Sequence, residues 1–179
     1  MKEMDSYTKL AQFGRELLGI TSLELGLPII SDYAKSVMHA DRCSIFIYEK
    51  NKNIVWSTLS DGIEKITLQG DEGIVGQTIQ NKEPIIVNDT YNNTNFLQKV
   101  DHKSGYVTSN IASVPIFDSM QKVIGVLQLL NKCEGDFNDK DTRFMIFFSH
   151  YISGYLELAT IFREDEDEES EDSPTPPLV

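Results

Sequence analysis

The chain has 179 residues, an apolar share of 40% and a formal net charge of −12 at pH 7. This length and apolar share predict one domain that can bury a core. No apolar run reaches the roughly 18 residues that span a membrane, and no apolar signal core opens the chain. We therefore expect a cytoplasmic protein with no membrane partner. The chain has no basic stripe, which argues against nucleic acid as a partner.

The acidic charge is concentrated near the C-terminus. Residues 164–172 hold eight acidic side chains and one other residue, Ser170. A block of like charge repels itself, so we predict a disordered, acidic and proline-rich tail over residues 164–179. Ahead of it we predict a domain over residues 22–163 and an N-terminal helix and linker over residues 1–21.

Residues that could carry catalysis or bind a metal are few and scattered. The two cysteines, Cys43 and Cys133, form no CxxC pair, and the three histidines match no metal-ligand spacing. No Ser-His-Asp or Cys-His arrangement is evident. We therefore predict no metal, no cofactor and no enzymatic activity.

The first half of the chain predicts helices followed by strands. Two helices are predicted over residues 6–18 and 27–39, and three strands over residues 43–48, 54–59 and 63–68. Pro28 suits the first turn of the second helix, and Asp41 and Arg42 should lie before the first strand. A glycine-rich turn then leads into a short helix over residues 74–81, whose free N–H groups suit an anion.

The second half predicts three more strands and a long final helix. The strands lie over residues 84–87, 110–117 and 123–130, and the helix lies over residues 139–162. This order predicts an α+β domain, with helices packed on a central antiparallel six-stranded sheet. The final helix has a broad apolar face, which indicates a bundle with the first helix and a homodimer through both. The alternative is that both helices only cover the sheet.

A long polar connection separates the fourth and fifth predicted strands. Residues 88–108, NDTYNNTNFLQKVDHKSGYVT, exceed the roughly 12–15 residues above which loops are usually functional or disordered. The segment is poor in helix formers, yet it has apolar anchors of its own. Asp101, Ser104 and Thr108 add short polar side chains between these anchors. We predict a lid over a ligand; the alternative is a surface crossover without one.

Five motifs occur in an order that resembles the GAF domain. Four are the segments ADRCSIFIYE (40–49), GIVGQTIQNKEPIIVNDTY (73–91), FLQKVDHKSGYVTSNI (96–111) and VIGVLQLLNK (123–132). The fifth is a signature formed by Asn131, Lys132, Phe137 and Asp141, with Thr142 where a glutamate is usual. The chain resembles most closely the cyclic-nucleotide-binding GAF domains of cyclic nucleotide phosphodiesterases.

The resemblance implies a regulatory domain that binds a cyclic nucleotide, with a lean to cyclic GMP over cyclic AMP. Its pocket would lie between the sheet, the short helix and the lid. The implied contacts are Ser44 and Asp61 for the base, Ile74 and Val75 for the phosphate side, Asp101, Ser104 and Thr108 for the ribose and phosphate, and Gln128 for the sugar side. Ligand binding would favour a closed lid and act on the flanking helices.

Two positions depart from the closest relatives. Ser60 stands where they place a phenylalanine near the base, and Leu97 stands where an aromatic residue is common. The loss of stacking would weaken binding by about 1 kcal/mol or more. We also predict that Lys132 and Asp141 form a structural ion pair near the lid. The alternative function is a GAF domain without ligand that serves dimerisation or protein interaction.

Overall fold

The computed structural model describes the backbone of residues 2–57 and 66–171, and the side chains of residues 8–57, 66–102 and 105–161. In chain order the elements are α1 (Lys2–Leu18), α2 (Leu23–Met38), β1 (Ala40–Glu49), β2 (Ile54–Ser57), β3 (Ile66–Gln69), α3 (Gly73–Asn81), β4 (Ile85–Val87), α4 (Gln98–Ser104), β5 (Ile111–Phe117), β6 (Val123–Lys132) and α5 (Asp139–Glu171). None of these helices is long and apolar enough to cross a membrane.

The strands form one sheet of six, in the order β3-β2-β1-β6-β5-β4, and every neighbouring pair is antiparallel. The predicted α+β architecture is therefore confirmed. Because side chains alternate across a strand, the sheet has two faces. We call the face under α1, α2 and α5 the helix face, and the face under α3 and residues 88–110 the lid face.

The helix face carries the main core. Alternate residues of β1 and β6, such as Ile45 and Leu127, are fully buried against the helices. The three helices are joined by aromatic contacts: Phe13 stacks on Tyr33 with ring centroids 4.3 Å apart and lies 5.6 Å from Phe148. The predicted bundle of the N- and C-terminal helices is thus present within one chain.

Helices α1 and α2 and strand β1 begin three or four residues earlier than the sequence predicts. Helix α2 begins at Leu23, so Pro28 lies in its second turn and not in the first. Burial of Leu23 and Leu27 in the core offsets the one backbone hydrogen bond that proline removes. Strand β1 begins at Ala40 and includes Asp41 and Arg42, because this end of the strand pairs with the last residues of β6.

The lid segment contains a helix that the sequence did not predict. Helix α4 spans Gln98–Ser104 and ends at Gly105, whose φ of 68° gives the left-handed conformation common after a helix. Polar composition suggested an irregular loop. The Gln98-Lys99 start and the glycine stop were the local signals for this helix.

Helix α5 extends beyond its predicted end. The backbone of residues 164–171 is helical, so the predicted disorder is wrong for this part of the tail. Extending a helix that is already formed avoids the cost of nucleation, and glutamate is a good helix former. The rest of the tail, residues 172–179, and the predicted strand ends and turn within residues 58–65 lie outside the described residues.

Candidate functional site

A small cavity of about 70 Å³ lies on the lid face, between the sheet, α3 and the lid. Most of its lining is apolar, including Phe46, Leu68 and Leu130 from the strands. Its polar side chains come from four places in the fold: Gln128 from β6, Asp101 from α4, Thr108 from the end of the lid and Glu72 from the position before α3. An apolar enclosure with a few convergent polar groups is typical of a small-molecule site.

A row of polar side chains crosses the sheet, and one of its members, Gln128, lines this cavity. In the ladders, Gln128 of β6 lies directly opposite Ser44 of β1 on one side and Ser113 of β5 on the other. All three side chains are buried, and Gln128 is only 7% exposed. Thr78 Oγ1 lies 2.8 Å from Ser113 Oγ and 2.8 Å from the carbonyl oxygen of Ile74. The contact with Ser113 fixes α3 on the sheet beside the cavity.

The N-terminus of α3 faces the cavity. Gly73 has a φ of +68°, and a Cβ there would lie 2.8 Å from Leu97 Cδ1 of the lid. Glycine therefore supplies both the backbone conformation and the room for Leu97. Ile74 and Val75 of the same turn line the cavity. The positive end of the helix dipole is placed where an anion could bind.

Glu72 is the N-cap residue of α3, but its side chain makes no capping hydrogen bond to the helix. Its carboxylate instead accepts hydrogen bonds from the backbone N–H of Gln69, at 3.2 Å, and from Lys99 Nζ of α4, at 2.8 Å. The bond from Lys99, followed by the bond from Gln69, lowers the pKa of Glu72. This Glu72–Lys99 pair joins the lid helix to the start of α3, and we call it the latch.

A buried carboxylate holds the lid segment together. Asp101 Oδ1 accepts a hydrogen bond from Thr108 Oγ1 at 2.7 Å, and Oδ2 accepts from the Thr108 N–H at 2.7 Å and from Tyr91 OH at 3.0 Å. Burial, and then the bond to Asp101, raises the pKa of Tyr91. Asp101 and Thr108 thus lie where the resemblance places ligand contacts, but they bond to one another.

Tyr106 fastens the C-terminal end of the lid to the sheet. Its hydroxyl donates to Asp41 Oδ2 at 2.5 Å and accepts from Asn131 Nδ2 at 2.9 Å. The guanidinium carbon of Arg42 lies 3.6 Å from the centroid of the Tyr106 ring. Burial, and then Asp41, raises the pKa of Tyr106 far above its ordinary value.

The signature residues hold both ends of the lid. Asn131 Oδ1 accepts from the N–H of Ser109, just after the lid, at 2.7 Å. The backbone of Phe137 forms two hydrogen bonds with the side chain of Asn88, the first residue of the lid, at 3.0 and 3.1 Å. Lys132 Nζ lies 2.6 Å from Asp141 Oδ2, so the predicted ion pair is confirmed.

The structure brings together five of the eight predicted ligand contacts: Ile74, Val75, Asp101, Thr108 and Gln128. Ser44 is buried opposite Gln128 but does not line the cavity. Asp61, like Ser60, lies outside the described residues. Ser104 is the last residue of α4, and its side chain is also outside them.

Several cavity residues were missed by sequence reasoning. Phe46 and Leu130 each lie two positions after a predicted contact, Ser44 and Gln128, and so share its face of the sheet. This period of two was a usable signal. No comparable signal marks Lys99, because its partner Glu72 is 27 positions away in the chain.

The cysteines do not take part in the cavity. Cys43 is buried on the helix face, and this burial raises the pKa of its thiol to about 12. Cys133 is exposed beyond the end of β6. Among the described residues, no group of three or more His, Cys, Asp and Glu side chains is placed to hold a metal ion.

An antiparallel sheet with a helical layer on one face and a lidded cavity on the other defines an α+β domain of the small-molecule sensor class. The chain belongs to the GAF domain family, because the model of that family matches residues 22–156. This family is a regulatory one, and the resemblance drawn from the sequence is confirmed.

One relative and two solved structures show the range of similar proteins. The chain is 26% identical over 157 residues to a probable 3',5'-cyclic phosphodiesterase, pde-5, from Caenorhabditis elegans; the match covers 80% of this chain and 21% of that protein. The chain therefore spans about a fifth of that relative.

The structural matches extend over most of both chains. The GAF domain from an Acinetobacter phosphoenolpyruvate-protein phosphotransferase has a TM-score of 0.71 and 21% identity, and the match covers 88% of this chain and 96% of that one. A free methionine-R-sulfoxide reductase from Neisseria meningitidis, solved with its substrate, has a TM-score of 0.69 and 14% identity, with 84% and 87% covered. At these identities the likeness establishes the fold alone.

Proposed function

We propose that this domain is a sensor that binds a cyclic nucleotide beneath the lid and regulates an activity elsewhere. The observation that carries the proposal is that Val75, Thr108 and Gln128, from a helix start, a lid and a strand, line one cavity. The similarity to a phosphodiesterase, pde-5, supports a cyclic nucleotide as the ligand. The lean to cyclic GMP rests on the family resemblance.

The chemistry of the cavity suits this ligand. A cyclic phosphate carries one negative charge, which the first turn of α3 can hold with backbone N–H groups and the helix dipole. The apolar walls suit a base and the carbon atoms of a sugar. The Gln128 amide both donates and accepts hydrogen bonds, so it orients a ligand without selecting guanine over adenine.

The lid has to move before a nucleotide can bind. The cavity of about 70 Å³ is well below the roughly 300–1,000 Å³ of small-molecule sites. Entry therefore requires Leu97 to leave Gly73 and the latch to open. The ligand would then favour a lid position that differs from the present one, which is a shift of populations.

A contiguous set of contacts leads from the cavity to the helix face. Thr78 joins α3 to β5 through Ser113. The turn after β5 is tied to α5, because Glu157 accepts hydrogen bonds from the Ser119 N–H at 3.1 Å and from its hydroxyl at 2.7 Å. A displacement of α3 would reach α5 by this route. We place the regulated activity, a phosphodiesterase or a cyclase, outside this domain.

Calorimetric titration with cyclic GMP and, separately, cyclic AMP tests the proposal. We expect a dissociation constant near or below micromolar, about −8 kcal/mol, for at least one nucleotide. Replacing Gln128 by Leu should weaken binding about tenfold, because a buried ligand group loses its partner. The matched control is Gln80→Leu on the exposed side of α3. Silence up to millimolar nucleotide from a folded sample would reject the proposal.

The second candidate is a GAF domain without ligand that serves association alone. It is favoured by the small size of the cavity and by exposed apolar side chains on α5, among them Phe147 and Leu158. The same titration separates the two candidates. The cytoplasmic location and the lack of nucleic-acid or membrane partners remain predictions from the sequence.

A further inference from the structure

Three backbone N–H groups at the start of α3 are placed to bind an anion. The first hydrogen bond within the helix runs from the Gly76 N–H to the Glu72 carbonyl oxygen at 2.9 Å. The N–H groups of Gly73, Ile74 and Val75 come before this bond, and the side chain of Glu72 does not cap them. We call these three N–H groups the anion site.

A buried amide indicates independently that the cavity beside the anion site takes a polar ligand. Gln128 is 7% exposed and lines the cavity. Within the part of the chain that the structure describes, no group forms a hydrogen bond with its side chain. Because buried polar groups are almost always hydrogen-bonded, this amide requires a partner that enters the cavity.

The charges around the cavity oppose an anionic ligand. Among the described residues that line it, the only charged ones are Glu72 and Asp101, and both are carboxylates. Asp101 already accepts hydrogen bonds from Thr108 and Tyr91. Glu72, in contrast, directly precedes the anion site. A phosphate bound there would be repelled by the Glu72 carboxylate, so its binding requires a cation from outside the lining.

Lys99 of α4 is a cation in direct contact with Glu72. Its Nζ lies 2.8 Å from Glu72 Oε1, and its side chain is 61% exposed, so packing does not hold its stem. A lysine side chain has a flexible stem and three donors, which let it turn from one anion to a neighbouring one. Lys99 can therefore pair with an anion beside Glu72 as well as with Glu72 itself.

The segment that carries Lys99 also covers the anion site. A Cβ at Gly73 would lie 2.8 Å from Cδ1 of Leu97, the residue before α4. Leu97 and Lys99 are two positions apart, so a movement that takes Leu97 away from Gly73 also takes Lys99 away from Glu72. Opening of the lid therefore uncovers the anion site and releases its nearest lysine together.

We propose that Lys99 is a ligand-binding residue that changes partner, from Glu72 while the latch is closed to the phosphate once a cyclic nucleotide is bound. Glu72 is then an internal competitor of the ligand, because its carboxylate holds the lysine that the phosphate requires. The inference rests on the function proposed above. It adds the residue that neutralises the ligand's charge and the residue that limits its affinity.

The two residues of the latch should therefore affect binding in opposite directions. Glu72→Gln removes the competing charge and should lower the dissociation constant about threefold. Lys99→Met keeps an apolar stem without the charge and should raise the constant about fivefold, whereas Lys99→Arg should change it less than about twofold. A latch that only holds the lid shut would instead tighten binding in both Glu72→Gln and Lys99→Met, because both variants open it.

Calorimetric titration in a Glu72→Gln background separates the two roles of Lys99. The latch is already broken there, so a further Lys99→Met substitution acts on binding only through the ligand. We expect this second substitution to raise the dissociation constant of the tighter-binding cyclic nucleotide about tenfold. The matched control is Lys52→Met in the same background, because Lys52 pairs with Glu49 away from the lid and should leave the constant unchanged. Circular dichroism verifies that each variant is folded.

The titrations distinguish failure of this inference from failure of the proposed function. Silence of the unchanged chain with both cyclic GMP and cyclic AMP rejects the function and this inference with it. Binding that Lys99→Met leaves intact in the Glu72→Gln background rejects the role of Lys99 alone. Added sodium chloride should weaken binding more steeply in Glu72→Gln than in the double variant, because salt screens the Lys99–phosphate pair. Equal salt dependence in the two variants would also overturn the role of Lys99.

Discussion

The two faces of the sheet differ in how they are held. The helix face is one continuous apolar cluster in which Phe148, Ile152 and Leu127 are fully buried. The lid face is divided into two small clusters, one around Val75 and one around Ile111, with the cavity and its polar groups among them. Apolar burial thus stabilises one face, while hydrogen bonds and the Glu72–Lys99 ion pair close the other.

Because of this difference, the helix face governs the global stability of the domain and the lid face governs local opening of the lid. Burial of apolar surface contributes to the free energy of global unfolding, and elements in the core open only at free energies close to the global value. A lid held by a few polar contacts opens at a much lower free energy, as regions with few buried apolar contacts generally do. We therefore expect substitutions on the helix face to unfold the domain, and substitutions on the lid face to open it locally.

The largest effect is expected from Phe148→Ala. Removing a fully buried ring should lower the free energy of unfolding by about 3–5 kcal/mol. The matched substitution on the lid face is Phe96→Ala, at a half-buried residue, and it should cost clearly less. Urea denaturation measures both. Equal losses in the free energy of unfolding would mean that the two faces contribute equally to global stability, which would contradict the expected difference.

The next effect is expected from Asp101→Ala. The N–H and hydroxyl of Thr108 would lose their acceptor while buried, at a cost of about 1–3 kcal/mol for such a group. We expect faster hydrogen exchange at residues 105–110, with a smaller change in the global free energy of unfolding. Unchanged exchange there would show that the carboxylate does not hold the lid.

A smaller effect is expected from Lys99→Ala, which breaks the latch. An exposed ion pair contributes about 0.2–1 kcal/mol, so the lid should open up to about fivefold more often. Hydrogen exchange at residues 97–100 reports this without ligand, and nucleotide dissociation reports it where ligand binds. The control is Lys52→Ala, which breaks a comparable pair with Glu49 at 2.9 Å, away from the lid. An equal rise in hydrogen exchange at residues 97–100 in both variants would contradict the role of the latch.

The smallest effect is a pH dependence of the latch. The folded pKa of Glu72 lies below its ordinary value of 4.5, so its stabilising contribution is complete above that value and is lost as the pH falls through the folded pKa. Amide hydrogen exchange of the lid residues, corrected for the intrinsic exchange rate at each pH, should therefore rise in acid. Glu72→Gln should abolish this particular rise; if it persists undiminished, another group is responsible.

Some of the fold could be predicted because its signals are local. Strands β5 and β6 and helix α3 were predicted to within two residues, since a polar turn over residues 118–122 separates the two apolar strands and a glycine-rich turn precedes the helix. Helix α4 was missed because seven polar-rich residues give little periodicity. The extension of α5 differs from the prediction because the run of like charges indicates disorder, whereas the helix continues to Glu171.

The sequence by itself determined the class of fold, the place of the lid and five of the fifteen residues that line the cavity, because motif order and strand periodicity are properties of the chain. Only the tertiary structure decided how those residues use their hydrogen bonds. Asp101 and Thr108 bond to each other, and Lys99 reaches Glu72 on another element. Spacing along a chain does not report such distances, because packing of the sheet, α3 and the lid sets them.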